Sequence, residues 1–399
     1  MKILQVSHCF ASHCGGVEIV AEELARRLTE RGHEVSWAAT SLHGIANPSA
    51  AQLLPMHGTN VVERALAIPY PIWGPFSLHR LFQAVRHCDV LHLHDCLYFG
   101  NVAAFLAARW YRKPVVVTQH IGLVPYHSSV IRALMATANA LLGRLVLGGS
   151  DQTVFLSTVV RDYFSARVLF RPLPELIPNG VDSEVFTPAN PAEHSWRKRN
   201  LGFLDDRPLV LFVGRFVEKK GLSVLRPVCK RLIDCQWLFV GWGPEDPAGW
   251  NLPHVRRIER APRGQMADLY RAADLLVLPS RGEGFPLVVQ EAMSCGTPVL
   301  ITPETAAGCP QVDTVAWTCP PESVAWESRV RELLADSARL IAQRPLVHEF
   351  ARTVWDWEKT VDAYEAVYRR LSGSAATGAD LPKPAAVPSN RPLKSLAAK

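Results

Sequence analysis

The chain lacks the marks of several protein classes. It has no run of five or more Lys/Arg, no basic stripe interleaved with aromatic residues and no zinc-finger spacing, so nothing in it signals nucleic-acid binding. Its nine cysteines are odd in number and show no C-x-x-C spacing. Free thiols in a reducing compartment fit them better than a disulfide framework or a cysteine metal site. No stretch of about 18 uninterrupted apolar residues occurs, and Met1-Lys2-Ile3-Leu4-Gln5-Val6 reads as a strand rather than a signal peptide. These absences lead to the expectation of a cytoplasmic protein. Charge is modest too. A formal net charge of +6 suits anionic ligands, an anionic membrane surface or plain solubility.

What is present is apolar material for two cores. With 399 residues, 48% of them hydrophobic, the chain is long enough for two domains of roughly 150–200 residues. Short apolar runs alternate with helical patterns, as in βαβ units with parallel sheets. In the first half the pattern predicts strands at Lys2–Ser7, Glu34–Ala39, Val90–His94, Val115–Gln119, Thr153–Ser157 and Leu176–Pro178. A loop, Cys9–Gly16, and a helix, Val17–Arg31, follow the first of them, with Gly32 as the helix stop. Val130 to Leu147 is the most hydrophobic long window, interrupted by Arg132 and Arg144. It reads as a core helix or as an amphipathic helix against a membrane.

Asn179-Gly180-Val181-Asp182 reads as a turn, and the polar, proline-bearing stretch from Phe186 to Arg207 as the domain boundary. A second alternating series follows. It has strands at Leu209–Val213, Trp237–Val240, Val255–Ile258, Leu275–Pro279 and Pro298–Ile301. Helices are expected at Ser223–Asp234, kinked or shortened by Pro227, and at Gln265–Ala272, Leu287–Ser294, Val324–Leu334 and around His348 to Leu371. The expected organisation is α/β, with domains at 1–185 and 186–350, a returning helix at 351–371 and a disordered tail at 372–399 rich in Ala, Pro, Ser and Lys.

The segment Arg281 to Pro298 reads as strand end, glycine turn and short helix. Gly282 and Gly284 loosen the turn, Pro286 suits the first helical position, and Gly296 with Pro298 ends the helix. Such a turn aims free N–H groups and the positive end of a helix dipole at one spot, where an anion binds. Glu283 lies in the turn and Glu291 eight residues later on the helix, able to hold two hydroxyl-bearing parts of one ligand. Alone, the pair reads as a capping acid and a surface acid on an ordinary helix, and the glycine turn and helix start are what favour a ligand. Gly214-Arg215-Phe216-Val217-Glu218-Lys219-Lys220-Gly221 also follows a buried strand, and Arg215 and Lys220 suit a diphosphate. Gly241-Trp242-Gly243 follows the next strand. Ligands of open parallel sheets bind at the carboxyl ends of strands, so these loops can share one crevice.

Taken together the motifs resemble the large family of retaining glycosyltransferases with the GT-B fold, family four. They are Gly15-Gly16-Val17-Glu18, His120, Ile177-Pro178-Asn179-Gly180-Val181-Asp182, Phe212-Val213-Gly214-Arg215, Lys220-Gly221, Gly241-Trp242-Gly243-Pro244, Glu283-Gly284-Phe285-Pro286-Leu287, Glu291-Ala292-Met293, and a late Phe350, Trp357-Glu358 and Tyr364. They run in family order over about residues 1–370. The resemblance implies two Rossmann-like doubly wound domains facing across a cleft. It implies a nucleotide-diphosphate sugar donor of UDP or GDP type, with no cofactor and no metal. Arg215 and Lys220 would hold the diphosphate, Glu291 the ribose and Glu283 the sugar hydroxyls. His120 would stand near the reacting centre, and Gly15, Gly16, Gly284, Phe285 and Leu287 would line the donor. A glycan or lipid-linked acceptor, surface-polysaccharide or lipopolysaccharide synthesis and peripheral contact with the inner membrane face complete the implied picture.

The sequence departs from the family pattern in places. His8, Cys9, His13 and Cys14 crowd the first loop, as a metal site or as irregular loop composition. Ile258-Glu259-Arg260-Ala261 stands where a Phe-x-Gly loop is usual, and Pro286 where Gly is common. Among other readings, a Rossmann dehydrogenase would need G-x-G-x-x-G, and the first loop offers only Gly15-Gly16. A silent sugar-nucleotide-binding subunit, a phosphorylase or an epimerase share the fold.

Overall fold

The structure, a computed structural model, describes residues 1–13, 15–41, 51–61, 70–122, 128–190, 198, 200–203 and 207–373. Cys14, part of the proposed boundary stretch, and the tail beyond 373 lie outside the described residues.

The first sheet contains β1 (Lys2–Cys9), β2 (Glu34–Thr40) and β3 (Gln52–Met56). A small antiparallel ribbon, β4 (Gly58–Thr59) with β5 (Ile72–Trp73), stands apart. The sheet continues with β6 (Val90–His94), β7 (Val115–Gln119), β8 (Gln152–Phe155) and β9 (Glu175–Leu176). Its order is β3-β2-β1-β6-β7-β8-β9, all parallel. Leu4 faces Ser36 on one side and Leu91 on the other. The central strands are buried along their whole length because both faces are covered, as parallel sheets require. The helices of this domain are α1 (Gly16–Glu30), α2 (Pro75–His87), α3 (Phe99–Trp110), α4 (Ser129–Leu142) and α5 (Thr158–Ser165).

The second sheet repeats the plan with β10 (Leu209–Val213), β11 (Gln236–Val240), β12 (Val255–Ile258), β13 (Leu275–Leu278), β14 (Val299–Ile301) and β15 (Trp317–Thr318). Its order, β12-β11-β10-β13-β14-β15, reverses direction at β10, as in doubly wound folds. Its helices are α6 (Leu222–Arg231), α7 (Arg263–Ala272), α8 (Leu287–Ser294), α9 (Pro303–Gly308), α10 (Ser323–Ala335) and α11 (Ser337–Val354). Pro227 lies inside α6, which ends at Arg231, three residues short of the sequence expectation.

Four expectations need correction. The helical run expected from about His348 to Leu371 is two helices, broken at Trp355-Asp356, where Asp356 caps α12 (Trp357–Ser372) by accepting from Glu358 N. Asn179-Gly180-Val181-Asp182 is no turn. Val181 bridges Asp356 in parallel and its N–H donates to the Trp355 carbonyl, 2.8 Å, so the two chain crossings between domains are laced together. Pro286 is the N-cap residue of α8 rather than its first helical one. The apolar window around α4 is not a core helix. Asn139 is the one buried residue of α4, while Val130, Leu134 and Leu141 are exposed. Its π-helical continuation, Gly143–Leu147, ties it to the domain through Phe164, next to Gly143. By length and composition this run is apolar enough to cross a bilayer, although only 22% of it is buried.

Helix α12 returns to the first sheet. Trp357, Val361, Tyr364, Val367 and Tyr368 join Ile3, Val90, Val116 and Val154 in one core. Tyr364 Oη meets Thr118 Oγ1 at 2.9 Å and Tyr368 Oη meets His92 Nδ1 at 2.8 Å.

Candidate active site

The carboxyl ends of β10, β11 and β13 carry the glycine loops, and the loops are laced together. Gly214 N donates to the Val240 carbonyl and Phe216 N to the Trp242 carbonyl, 3.0 and 2.7 Å. Gly241 has φ of 148° and a Cβ there would stand 1.9 Å from the Gly214 carbonyl oxygen, so only glycine lets the two loops meet. Arg281 N donates to the Lys219 carbonyl, 2.8 Å, and joins the third loop to the first.

Within this junction the two halves of the expected site touch. Lys220 Nζ lies 2.9 Å and Lys219 Nζ 3.7 Å from Glu283 Oε1. Burial pushes the Glu283 carboxyl up, but the two lysines outweigh it and hold the group below the usual carboxylate range. Arg215 is exposed at the rim of the same loop. On α8, Glu291 is held by Tyr270, whose hydroxyl donates to Oε2 at 2.7 Å. Burial raises the Glu291 carboxyl against the opposing pull of Tyr270 and Arg263. Lys219, Tyr270 and Arg263 escaped the sequence reading. Lys219 stood inside the glycine-bounded segment and was the one of the three with a signal.

The first domain closes the other side. A Cβ on Gly284 would lie 2.2 Å from the His120 carbonyl oxygen, so the Glu283 turn rests directly on the loop after β7. A Cβ on Gly16 would approach Leu287 Cδ1 to 3.8 Å, which puts Gly15-Gly16 at the start of α8. Arg263 Nη1 reaches Glu23 Oε1 of α1 at 2.5 Å and Nη2 reaches Asp182 at 3.3 Å, a charged latch across the cleft. Phe285 is buried against Trp355, 5.1 Å between rings. It supports the crossing behind the turn. Gly15, Gly16, Gly284, Leu287 and His120 thus share the cleft with Glu283.

His120 is buried and heads a histidine network. Its Nε2 meets His94 Nδ1 at 3.1 Å, and His94 Nε2 meets Gln5 Oε1 at 3.2 Å. Burial, then the neighbouring imidazoles, pushes His92 and His120 well below the usual histidine range and His94 down to about 3. Asp95, also missed, has φ of 71°, accepts from His120 N at 3.0 Å and, among the described residues, has no hydrogen-bond partner for its buried Oδ2. Its carboxyl is raised by burial to about 6. A cavity of about 740 Å³ opens at the amino ends of the first sheet, lined by Lys2, His33, Glu34, His79 and Arg80. Parallel sheets bind ligands at the opposite ends, where the glycine loops are.

Comparison with known proteins decides the family. The description "Glycosyltransferase Family 4" matches residues 14–185 and "Glycosyl transferases group 1" matches residues 207–336. D-inositol 3-phosphate glycosyltransferase 1 of Catenulispora acidiphila is 30% identical, over 89% of this chain and 90% of that protein. The chain belongs to the family four (group 1) glycosyltransferases. Another relative of this glycosyltransferase is the GDP-mannose-dependent monoacylated alpha-(1-6)-phosphatidylinositol monomannoside mannosyltransferase of Corynebacterium glutamicum, 26% identical over 71% of this chain and 77% of that one. Anabaena Alr3699/HepE, solved in complex with UDP-glucose, superposes with a TM-score of 0.73 over 93% of this chain and 100% of that one at 17% identity. The two facing Rossmann-like domains are the GT-B fold.

Proposed function

We propose that this glycosyltransferase moves a sugar from a UDP- or GDP-type donor to a hydroxyl of a glycan or lipid-linked acceptor, with retention of anomeric configuration. The observation that carries the reading is the Lys220–Glu283 pair at the meeting point of three glycine loops, in a turn that rests on the His120 carbonyl. Lys220, Lys219 and Arg215 neutralise the leaving diphosphate in place of a metal ion. Fixed cations act most strongly where charge grows in the transition state, and so lower the barrier more than they tighten donor binding. Glu291, oriented by Tyr270, accepts from the ribose hydroxyls. Glu283, once Lys220 turns to phosphate, accepts from the hydroxyls of the transferred sugar. The buried His120, kept neutral, stands by the reacting centre. The acceptor attacks on the face the diphosphate leaves, and closure of the Arg263 latch excludes water. The GDP-mannose dependence of the Corynebacterium relative and the UDP-glucose complex of HepE favour this donor class.

The acceptor belongs to surface-polysaccharide or lipopolysaccharide assembly in this reading. Helix α4 supports work at the inner membrane face, since Val130, Leu134 and Leu141 are exposed and Arg132 and Arg144 can meet anionic headgroups. A thermal-shift screen of UDP-, GDP- and ADP-sugars tests the donor class. One UDP- or GDP-sugar should raise the melting temperature, because a ligand of the native state stabilises it. No shift with any of them defeats the reading.

A further inference from the structure

A second cluster lies on the first-domain wall, and the donor chemistry above makes no use of it. His8 stands in β1, His13 closes the single 3-10 turn Ala11–His13, and Glu18 sits in the first turn of α1. One ligand atom of each lies within 4.8 Å of the other two. His8 and Glu18 are 4% and 2% exposed, and His13 is half-buried.

The carboxylate is the telling group. A buried carboxylate is costly unless a cation or hydrogen bonds meet it. Glu18 Oε1 lies 3.0 Å from His8 Nε2 as an ion pair, and among the described residues it has no well-aligned hydrogen bond. The His8 ring has little freedom to improve matters. It is stacked on Tyr98, 4.0 Å between rings and 6° between planes. Gly15 backs the carboxylate from the other side, since a Cβ there would stand 2.2 Å from Glu18 Oε2.

We propose that His8, His13 and Glu18 form a site for a divalent transition metal of the zinc type. Two imidazoles and one carboxylate are a ligand set for Zn²⁺ or Co²⁺, whereas Mg²⁺ and Ca²⁺ prefer oxygen alone. Ligands bonded at zinc distances to a tetrahedral ion stand about 3.4 Å apart. The His8–Glu18 separation of 3.0 Å is close to this, and the 4.8 Å limit leaves His13 a shift of about 1.4 Å at most. Three protein ligands leave a fourth position for water or an acceptor oxygen, beside Gly15-Gly16 at the cleft. This ion stands on the opposite wall from Arg215 and Lys220 and is separate from neutralisation of the donor diphosphate.

The test uses the full chain, stripped with chelator and titrated with Co²⁺. The expected result is one equivalent bound, with the visible d–d bands of a four-coordinate ion, and Zn²⁺ displacing it. His13→Ala and Glu18→Gln should each weaken uptake at least roughly tenfold, while His79→Ala, at an exposed position, leaves it unchanged. His13→Ala removes only a half-buried side chain, so its melting temperature shows whether it folds. The proposal is overturned by absence of stoichiometric uptake, or by uptake that survives both His13→Ala and Glu18→Gln. The nucleotide-sugar thermal shift on the metal-free chain is read separately, so failure here and failure of the donor reading are distinguishable.

Discussion

Lys220 Nζ and Glu283 Oε1 stand 2.9 Å apart, so two residues that read from sequence as a phosphate cation and a sugar acceptor neutralise each other in the free protein. In the proposed reaction, donor binding would exchange this internal pair for two external ones, with the cost of burying either charge alone met beforehand.

The first prediction concerns that pair. Lys220→Ala should lower transfer at least roughly tenfold, and Arg215→Ala likewise. Lys220→Ala should also cost about 1–3 kcal/mol of stability, because Glu283 keeps only the more distant Lys219. The double variant Lys220→Ala/Glu283→Gln should melt above the single one. Equal melting temperatures, or near-normal transfer by both single variants, would count against the pairing.

Glu291 gives a second. Glu291→Ala should weaken nucleotide binding measured by calorimetry. Tyr270→Phe should weaken it less, by about 1 kcal/mol, the worth of one hydrogen bond that orients the carboxylate. Unchanged affinity in both variants contradicts a ribose role for Glu291.

A third prediction is steric. Gly180 has no room for a side chain, since a Cβ would stand 2.4 Å from Trp357 Cγ and 2.5 Å from its Cα. Backbone cannot yield as a side chain does. Gly180→Ala should therefore lose about 3 kcal/mol, read as a shift in denaturation midpoint. A midpoint like that of the native chain would show that the crossing has slack.

The fourth is pH dependence. His92, His94 and His120 are depressed below an unfolded value of about 6.5. Their contribution is present above that pH and is lost as pH falls through it, at about 1.4 kcal/mol per histidine per pH unit. Asp95, raised to about 6, acts in the opposite sense as pH drops below that value. The three histidines outweigh it, so the melting temperature should fall from pH 7.5 to pH 5.5. A flat or rising profile refutes this.

The sheets were legible because strands buried on both faces carry apolar runs, as in Val115-Val116-Val117 and Leu209–Val213. Glycine spacing marked the loops because Gly241 and Gly284 meet carbonyl oxygens that tolerate no Cβ. Helices α2 and α3 were not anticipated, and α4 was open between core and surface, because hydrophobic content alone does not say which face meets protein. Trp355-Asp356 broke a run that periodicity joined, through a cap whose value lies in its bridge to Val181. Tyr270 and Asp95 stayed hidden because their partners, Glu291 and the His120 amide, are 21 and 25 residues away.

Helix α12 also dictates an order of events during synthesis. Ile3, Val90, Val116 and Val154 are covered by side chains as late as Tyr368. A ribosome that has finished the first nine strands has made a sheet with one apolar face that α1 covers only in part. The remainder stays exposed while the whole second domain is translated, and closes only when the chain has doubled back. The first domain to begin folding is therefore the last to finish, and a nascent chain stalled inside α11 should be the species that chaperones hold longest.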